Sequence, residues 1–339
     1  MRILIVRLSA IGDCLFGSPI AEALRQSFPN AYLGWAVHPL SAPVLEGNPF
    51  LDKVHVVPRK SFFRQLPMLA RELRRERYDV AMDLQGLYKS AAVALASGAP
   101  RRMGPDKSHE RVQWLYKELV AMDESQHVVP RYLNFARALG ATWHQEPEML
   151  MPFGESHLAM ARSLLEEAGV PISSRIITIN PATSKAVKDW PQGRFALLAD
   201  ALQSNLKVVP IFTGSPADRD LCDEIIKEMK TPGVNLAGKT SLNELAALIS
   251  LAELFIGGDT GPLHIAQAAG TRVLAIFGPT DPKLLGPRSP KHQTAYLNLE
   301  CSPCRHKVCP IGHPCMENLS VESLTMTAER MLTEPKTSY

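Results

Sequence analysis

A carboxylate lies directly after the first apolar run of this sequence. The run at residues 3–6 leads through RLSAIGD to Asp13, and a helix pattern then begins without a gap. Many α/β proteins carry a glycine-rich phosphate loop at this point. Asp13 can cap the following helix, or it can accept a proton from a reacting hydroxyl group. The sequence leaves both interpretations of Asp13 open.

The stretch LFIGGDTGPLHIAQAAG carries the strongest pattern for anion binding. A strand pattern ends at Ile256, and Asp259, Thr260 and Gly261 connect it to a helix pattern that contains His264. The free N–H groups and the dipole of a helix N-terminus favour a phosphate, and glycine lets it approach the backbone closely. The alternative is a well-capped helix whose His264 faces the core.

Two further loops carry polar side chains suited to a nucleoside diphosphate. NPATSKAVKDWP follows a strand pattern, and its Thr183, Ser184 and Lys188 can offer hydroxyl groups and a positive charge to phosphate oxygens. IFTGSPADRD places Asp218 in the first turn of a helix pattern, where it can accept hydrogen bonds from ribose hydroxyls. An exposed loop and a first-turn aspartate favoured by the helix dipole are the alternatives.

Alternating strand and helix patterns position these side chains. In the first half, strands are predicted at 2–7, 32–37, 54–57 and 79–84, and helices at 18–28, 62–77 and 88–96. In the second half, strands are predicted at 175–180, 207–213, 254–256 and 272–277, and helices at 155–168, 193–203, 217–229, 241–251, 261–268 and 320–332. This alternation predicts an α/β protein with two Rossmann-like, doubly wound parallel-sheet domains facing a central cleft.

Length and charge agree with two domains and an anionic partner. The 339 residues exceed what one core usually holds. No apolar run approaches the roughly 18 residues that span a bilayer, and residues 3–6 are too few for a signal-peptide core, so we expect a cytoplasmic protein. Residues 53–111 contain 13 basic and 6 acidic side chains, against 24 and 28 elsewhere. This imbalance predicts an anionic partner for the first half, with a solvated helix face as the alternative.

Several common catalytic motifs are absent from the sequence. No G-x-G-x-x-G opens either half, which argues against a nicotinamide-dependent dehydrogenase. Neither G-x-x-x-x-G-K-[ST] nor G-x-S-x-G occurs, which argues against a P-loop kinase and against the simplest serine hydrolase.

Four cysteines crowd into CSPCRHKVCPIGHPC near the C-terminus. Cys301, Cys304, Cys309 and Cys315 have the spacing C-x2-C-x4-C-x5-C, with two histidines between them. Four thiolates suffice for a tetrahedral structural zinc site, although the paired knuckles of a common zinc ribbon are missing. Reduced thiols or a disulfide are the alternatives, and an iron–sulfur cluster fits the spacing less well.

Four motifs together resemble glycosyltransferase family nine, the ADP-heptose:lipopolysaccharide heptosyltransferases. They are RLSAIGD at 7–13, DLQGLYKSA at 83–91, KDWP at 188–191 and GGDTGPLHIAQAAG…FGPTDP at 257–282. The resemblance implies the GT-B architecture, with the acceptor held by the first domain and the sugar nucleotide mainly by the second. We therefore expect an acceptor domain at 1–168, a donor domain at 169–319 and a C-terminal segment, 320–339, whose helix crosses back to the first domain.

The resemblance also implies roles for individual residues. Asp13 corresponds to the general base, and Lys188 to the lysine that contacts the donor phosphates. The implied donor-binding set consists of Thr183, Ser184, Lys188, Asp218, Asp259, Thr260, Gly261 and His264. Ser184 stands where the family usually has threonine, and Asp218 where some members have glutamate. Cysteine-rich tails occur in some members only, so the shared chemistry does not require one.

The implied reaction is an inverting transfer of heptose from ADP-heptose to the inner core of lipopolysaccharide, either Kdo-lipid A or a heptosylated acceptor. Positive groups around the diphosphate stabilise the charge on departing ADP, so no divalent metal is required. Arg59, Lys60 and Arg64 can hold the carboxylates and phosphates of the acceptor. The expected partners are an ADP-sugar and an anionic glycolipid rather than nucleic acid, with peripheral association with the cytoplasmic face of the inner membrane.

Two alternatives to this function stay open. A transferase of the same family can use another nucleotide sugar or another acceptor. A non-catalytic nucleotide-binding protein can share the fold, although the presence of both Asp13 and Lys188 argues against it.

Overall fold

The computed structural model describes residues 1–108, 110–304 and 306–334. The chain divides into two compact units, Met1–Pro152 and Phe153 onward. Each unit contains one six-stranded sheet in which every pair of neighbouring strands is parallel. Two parallel sheets with helical connections confirm the predicted α/β class.

The first unit alternates short buried strands with helices. Its strands are β1 (Arg2–Val6), β2 (Tyr32–Val37), β3 (Lys53–Val56), β4 (Val80–Asp83), β5 (Arg101–Pro105) and β6 (Glu118–Val120). Its α-helices are α1 (Ile11–Gly17), α2 (Pro19–Ser27), α3 (Phe62–Arg75), α4 (Tyr88–Ala96) and α5 (Val128–Ala138).

The first sheet has the strand order β3-β2-β1-β4-β5-β6. Alternate residues of β1 point to opposite faces, and Leu4 and Val6 pack in a core cluster with Leu69 and Leu73 of α3. The order reverses between β1 and β4, and ligands of such sheets bind beyond the carboxyl ends of the strands at this switch point. The loops after β1 and β4 are therefore the places to look for a site in this unit.

The second unit repeats this plan of parallel strands connected by helices. Its strands are β7 (Ile176–Asn180), β8 (Val209–Phe212), β9 (Val234–Asn235), β10 (Leu254–Gly258), β11 (Val273–Phe277) and β12 (Gln293–Tyr296). Its α-helices are α6 (Glu155–Glu167), α7 (Gln192–Leu206), α8 (Arg219–Glu228), α9 (Leu242–Leu251), α10 (Gly261–Ala268), α11 (Pro282–Leu285), α12 (Pro314–Glu317) and α13 (Val321–Thr333).

The second sheet has the order β12-β11-β10-β7-β8-β9, which is the order of the first sheet read from the other edge. Ile177 and Ile179 of β7 pack on the face covered by α7, α8 and α13, whereas Ile176 packs on the face covered by α6 and α9. The switch point lies between β7 and β10. A short 3-10 helix, Ala186–Lys188, lies in the loop after β7.

The boundaries differ from those expected in two places. The first unit ends at Pro152 rather than at residue 168, because α6 packs against α9 in the second unit. The C-terminal helix α13 packs against α7 of the second unit, where we expected a helix crossing to the first domain. Residues 335–339 of the expected C-terminal segment lie outside the described residues.

Strands β5, β6, β9 and β12 and helix α5 were not predicted. The strands are short and polar, as RRMGP and QTAY show, so they lack the apolar run of a central strand. Within the described residues, no helix is long and apolar enough to span a membrane.

Candidate active site

Asp13 is the third residue of α1, so it lies at the carboxyl end of β1. One carboxylate oxygen, Oδ2, accepts a hydrogen bond from the Ala10 N–H at 3.2 Å. The other, Oδ1, lies 2.9 Å from Nη2 of Arg7. Ala10 is the N-cap residue, so Asp13 is not the N-cap that one interpretation predicted, but it does bond to the N-cap backbone. More than a third of its side chain is exposed, which leaves the carboxylate accessible to a reactant.

Arg7 is a buried cation beside this carboxylate. Its Nη1 donates to the Leu84 carbonyl at 3.3 Å, and its guanidinium carbon lies 5.4 Å from the ring centroid of Tyr132. Burial alone would lower the pKa of Arg7, but the nearby Tyr132, Asp13 and Cys14 outweigh it and raise the pKa. In the described structure, the buried Nε of Arg7 has no hydrogen-bond partner. A fixed positive charge with an unused donor can bind an anion.

The loop after β4 supports this arrangement from the neighbouring strand. Gln85 accepts a hydrogen bond from the Leu8 N–H at 2.8 Å and so ties the loop to the segment that carries Asp13. The buried Asp83 accepts from Tyr116 Oη at 2.6 Å and from the Gln85 N–H at 2.8 Å. Burial raises the pKa of Asp83 although these hydrogen bonds oppose it. The DLQGLYKSA motif therefore builds the wall beside Asp13.

A cavity of about 340 Å³ opens beside Arg7 within the first unit. Its walls include Arg7, Gln85, Lys107, Arg131 and Tyr132. The Nε of Arg131 is buried and, like that of Arg7, has no partner in the described part of the chain. Three cationic side chains and one carboxylate, Glu124, line this cavity, and the excess of positive charge suits a carboxylate or phosphate group.

The three basic residues predicted to hold an acceptor lie elsewhere in the first unit. Arg59, Lys60 and Arg64 are all exposed, at or just before the start of α3, and none lines the cavity beside Arg7. Sequence patterns missed Lys107 and Arg131. Arg131 lies on the unpredicted α5, whose apolar spacing in HVVPRYLNFARALG could have identified it.

In the second unit, the loops after β7 and β10 meet through Lys188 and Asp259. Lys188 Nζ forms a short ion pair with Asp259 Oδ2 and lies 3.2 Å from the Asp259 carbonyl oxygen. Both side chains are largely buried. Burial alone would raise the pKa of Asp259, but His264 and Lys188 outweigh it and hold this pKa well below its usual range. Asp259 is therefore a permanent anion that orients the lysine.

His264 completes this network from the first turn of α10. Its Nε2 lies 3.5 Å from Asp259 Oδ1, and its Nδ1 lies 3.2 Å from the side-chain amide nitrogen of Gln267. Because an amide nitrogen only donates, Nδ1 accepts and the ring hydrogen faces Asp259 from Nε2. The structure thus brings Lys188, Asp259 and His264 together, as the sequence predicted.

Glycine at position 258 allows the two loops to approach each other. A Cβ atom added to Gly258 would lie 2.8 Å from Cγ2 of Thr183. Thr183 Oγ1 donates to Asp189 Oδ1 at 2.6 Å and organises the loop that leads to Lys188. Ser184 is exposed on the same loop. The hydroxyl of Thr183 thus shapes the loop, whereas that of Ser184 faces solvent.

The N-terminus of α10 offers backbone N–H groups at the same edge of the sheet. Thr260 is its N-cap in an extended conformation, but no side chain caps the helix in the described structure. Gly261 is the first helical residue and Pro262 the second. The buried hydroxyl of Thr280, in the loop after β11, also has no partner among the described residues. Thr280 belongs to the FGPTDP part of the fourth motif but was not among the expected donor-binding residues, so it is an addition to the candidate site.

Asp218 is engaged in its own turn. Its Oδ2 accepts hydrogen bonds from the N–H and the hydroxyl of Ser215, both at 2.7 Å. These bonds close a capping box at the start of a 3-10 helix, Pro216–Asp218. The structure therefore gives Asp218 a structural role in its first turn, and among the described residues no hydrogen bond is formed by its other oxygen.

The four clustered cysteines line one cavity of about 160 Å³ in the second unit, together with Val187 and Pro279. All four are free thiols. Nowhere in the described residues are three or more His, Cys, Asp or Glu side chains arranged to hold a metal ion. The donor set suits zinc chemically, but the thiols are not arranged as metal ligands in the described structure.

Comparison with known proteins indicates the family of this chain. The model of glycosyltransferase family 9 (heptosyltransferase) matches residues 67–314. The lipopolysaccharide core heptosyltransferase OpsX of Haemophilus influenzae is 29% identical over 293 residues, which cover 84% of this chain and 80% of that protein. The lipopolysaccharide heptosyltransferase 3 of Escherichia coli K12 is 30% identical over 280 residues, which cover 80% of each.

A solved structure shows the same fold over nearly the whole chain. The ADP-heptose lps heptosyltransferase II of Escherichia coli superposes with a TM-score of 0.81 at 22% identity and covers 98% of both chains. Three findings support one conclusion. The chain forms two parallel, doubly wound sheets, each sheet has a charged site at its switch point, and the family model matches most of the length. The chain belongs to glycosyltransferase family 9, the heptosyltransferases, and is a glycosyltransferase with the GT-B fold.

Proposed function

We propose that this enzyme transfers heptose from ADP-heptose to an anionic sugar in the inner core of lipopolysaccharide. The observation that carries the proposal is the Lys188–Asp259 pair at the switch point of the second sheet, with the Arg7–Asp13 pair at that of the first. The similar proteins are lipopolysaccharide heptosyltransferases, and the donor in the name of the similar Escherichia coli enzyme is ADP-heptose.

The second unit would bind the donor. Its diphosphate would lie on the N-terminus of α10, where Thr260 and Gly261 offer backbone N–H groups and Lys188 offers a positive charge. Asp259 and His264 hold Lys188 in place, and Ser184 and Thr183 contribute hydroxyls from the loop after β7. These groups would stabilise the negative charge that grows on ADP as it leaves.

The first unit would activate and bind the acceptor. Asp13 would remove the proton from the acceptor hydroxyl as this oxygen attacks the anomeric carbon. A single displacement forms the new C–O bond, breaks the bond to ADP and inverts the configuration. Arg7 holds the Asp13 carboxylate at 2.9 Å, and this contact orients the base.

An anionic group of the acceptor would occupy the cavity beside Arg7. Lys107 and Arg131 complete its cationic wall. Arg59, Lys60 and Arg64 would contact more distant carboxylates or phosphates of the same glycolipid.

Helix α3 is suited to lie on an anionic membrane surface. It packs into the core through Phe62, Leu69 and Leu73, while Phe63 and Met68 are 71% and 69% exposed. Exposed arginines, Arg64, Arg71, Arg74 and Arg75, accompany these apolar side chains. Apolar insertion combined with positive charge favours peripheral binding to anionic headgroups. Flotation with anionic and zwitterionic vesicles tests this, with Phe63→Ser and Arg71→Glu expected to weaken binding to the anionic vesicles.

The decisive test of the reaction is a donor screen. The enzyme is incubated with a Kdo-lipid acceptor and, separately, with ADP-heptose, ADP-glucose and UDP-sugars, and the released nucleoside diphosphate is measured. We expect acceptor-dependent release of ADP from ADP-heptose. Release from UDP-sugars alone would show a transferase with another donor, and nucleotide binding without release would show a non-catalytic protein.

A further inference from the structure

The cysteine-containing segment contacts both loops of the donor site. We define the strap as residues 301–304 and 306–316. It follows β12 and includes most of α12. The Cys304 N–H donates to the Pro279 carbonyl at 2.9 Å, and the Ser302 hydroxyl donates to the Gly278 carbonyl at 2.5 Å. On the other side, His313 Nε2 forms a short hydrogen bond with the Val187 carbonyl oxygen. The strap thus bonds to the loop after β11 and to the loop that carries Lys188.

The bond from His313 acts on the peptide group that orients Lys188. The carbonyl of Val187 and the N–H of Lys188 belong to one planar peptide unit. His313 binds the carbonyl edge of this unit, and the Lys185 carbonyl accepts from the N–H edge at 2.8 Å. Because both the carbonyl and the N–H of this peptide group are hydrogen-bonded, its orientation is fixed. The direction in which the Lys188 side chain leaves the backbone is therefore fixed as well. From there, its Nζ reaches Asp259.

His313 itself is held on a rigid base. Its backbone N–H donates to Cys309 Sγ at 3.3 Å, and the residues that follow, Cys315 and Met316, are buried in the core of the second unit. Arg194 of α7 donates to the Glu317 carbonyl at 2.6 Å. The imidazole therefore projects from an anchored helix start onto the loop, and it must donate from Nε2 because a carbonyl only accepts.

We propose that His313 is a positioning residue of the donor site, which fixes the Val187–Lys188 peptide so that Lys188 faces the donor diphosphate. This role rests on the proposed function, because it assumes that Lys188 contacts the diphosphate. It assigns the strap a task in substrate binding that does not depend on whether its thiols hold a metal. His313 acts through the loop and does not touch the reacting atoms.

The test compares three substitutions at position 313 by calorimetric binding of ADP. His313→Ala removes the donor, and we expect the Kd for ADP to rise about tenfold, which corresponds to about 1.4 kcal/mol. His313→Gln places an amide nitrogen where Nε2 was, so it should restore most of the affinity. His313→Asn is too short to reach Val187 and should resemble alanine. His306→Ala, an exposed residue of the same strap, serves as the matched control and should bind ADP like the wild type.

Steady-state kinetics and thermal unfolding separate positioning from a general loss of structure. We expect the KM for ADP-heptose to rise in His313→Ala while the KM for the acceptor stays constant, and the glutamine and asparagine variants should differ in donor KM despite similar melting temperatures. Equal ADP affinity in His313→Ala and the wild type would overturn the proposal, as would identical behaviour of glutamine and asparagine. Failure of the wild type to bind ADP would contradict the assignment of the donor site to the second unit. The positioning role of His313 would then be contradicted as well, because it depends on that assignment.

Discussion

Nη2 of Arg7 lies 2.9 Å from Oδ1 of Asp13, while Oδ2 of the same aspartate accepts from the Ala10 N–H. The carboxylate therefore has two structural contacts and is also exposed enough to meet a reactant. This relationship unites the two interpretations of Asp13, because one side chain can help to cap α1 and still present a basic oxygen.

Replacing Asp13 with asparagine separates these two roles. Asparagine can still accept a hydrogen bond from the Ala10 N–H, so this contact at the start of α1 is kept, but it cannot take a proton and it removes the negative charge that pairs with Arg7. We expect turnover to fall by about 10²- to 10⁴-fold, the usual contribution of a general base, with ADP affinity within about twofold of the wild type. Steady-state rates and calorimetry measure the two quantities. Near-normal turnover would leave Asp13 with its capping role alone.

A substitution of Arg131 tests whether the acceptor binds in the cavity beside Arg7 or at the exposed basic residues near the start of α3. Loss of a charge-assisted hydrogen bond in a buried site costs about 2 kcal/mol. Arg131→Ala should therefore raise the acceptor KM by more than tenfold and leave the donor KM unchanged. Arg64→Ala, at an exposed position, should change the acceptor KM by about threefold or less at moderate salt. The reverse ranking would place the acceptor on α3 instead.

The Lys188–Asp259 pair makes the stability of the second unit depend on pH. The pKa of Asp259 is depressed in the folded state, so its contribution is present above the ordinary value of about 4 and is lost as the pH falls through the folded pKa. Asp259→Asn leaves a buried lysine unpaired and should lower the free energy of unfolding by about 3 kcal/mol at pH 7.

The difference between wild type and Asp259→Asn should shrink as the pH falls below about 4, and urea denaturation at several pH values measures it. Asp220→Asn, at an exposed position of α8, is the control and should stay within about 0.5 kcal/mol of the wild type. A gap between wild type and Asp259→Asn that is independent of pH would contradict the role of the ion pair.

Gly258 tests the close approach of the two donor loops. In Gly258→Ala, the added Cβ would lie 2.8 Å from Thr183, so the loop after β7 has to move. We expect weaker ADP binding, by about tenfold or more, with a modest loss of stability. Gly193→Ala, near the start of α7, meets only the flexible end of Glu228 and should bind ADP normally. Similar ADP affinity in both variants would show that the loop tolerates the displacement.

Metal analysis tests the zinc site that the cysteine spacing predicts. The four thiols line one cavity but are not arranged as ligands in the described structure, so zinc binding requires a rearrangement of this segment. A zinc site would give about one zinc per chain in protein purified without chelators, with the metal lost in a Cys301→Ser, Cys304→Ser double variant. Absence of bound metal, together with six titratable thiols in the unfolded protein, would assign the segment a metal-free role.

Much of the fold follows from local patterns. Central strands such as β1, β2 and β7 are continuous apolar runs, and Gly-, Pro- and Ser-rich turns separate them from amphipathic helices, so their positions were predicted closely. Strands at or next to a sheet edge, such as β12 and β5, were missed because they lack an apolar run and their structure depends on hydrogen bonds to neighbouring strands. Helix α6 joined the second unit because of packing on α9, which no local pattern reports.

The candidate site shows the same division. Residue types and spacing, together with the family resemblance, pointed to Asp13, Lys188, Asp259 and His264 as candidates, since each follows a strand or begins a helix and such loops share one sheet edge. Only the tertiary structure decided the partners. It brought Arg7 into contact with Asp13 and placed Arg131 in the wall of the cavity beside Arg7. It also brought His313 into contact with the peptide group that precedes Lys188. These contacts join residues that lie between 6 and 126 positions apart in the sequence. Residues far apart in the sequence are brought together by strand order and packing, which local sequence patterns do not report.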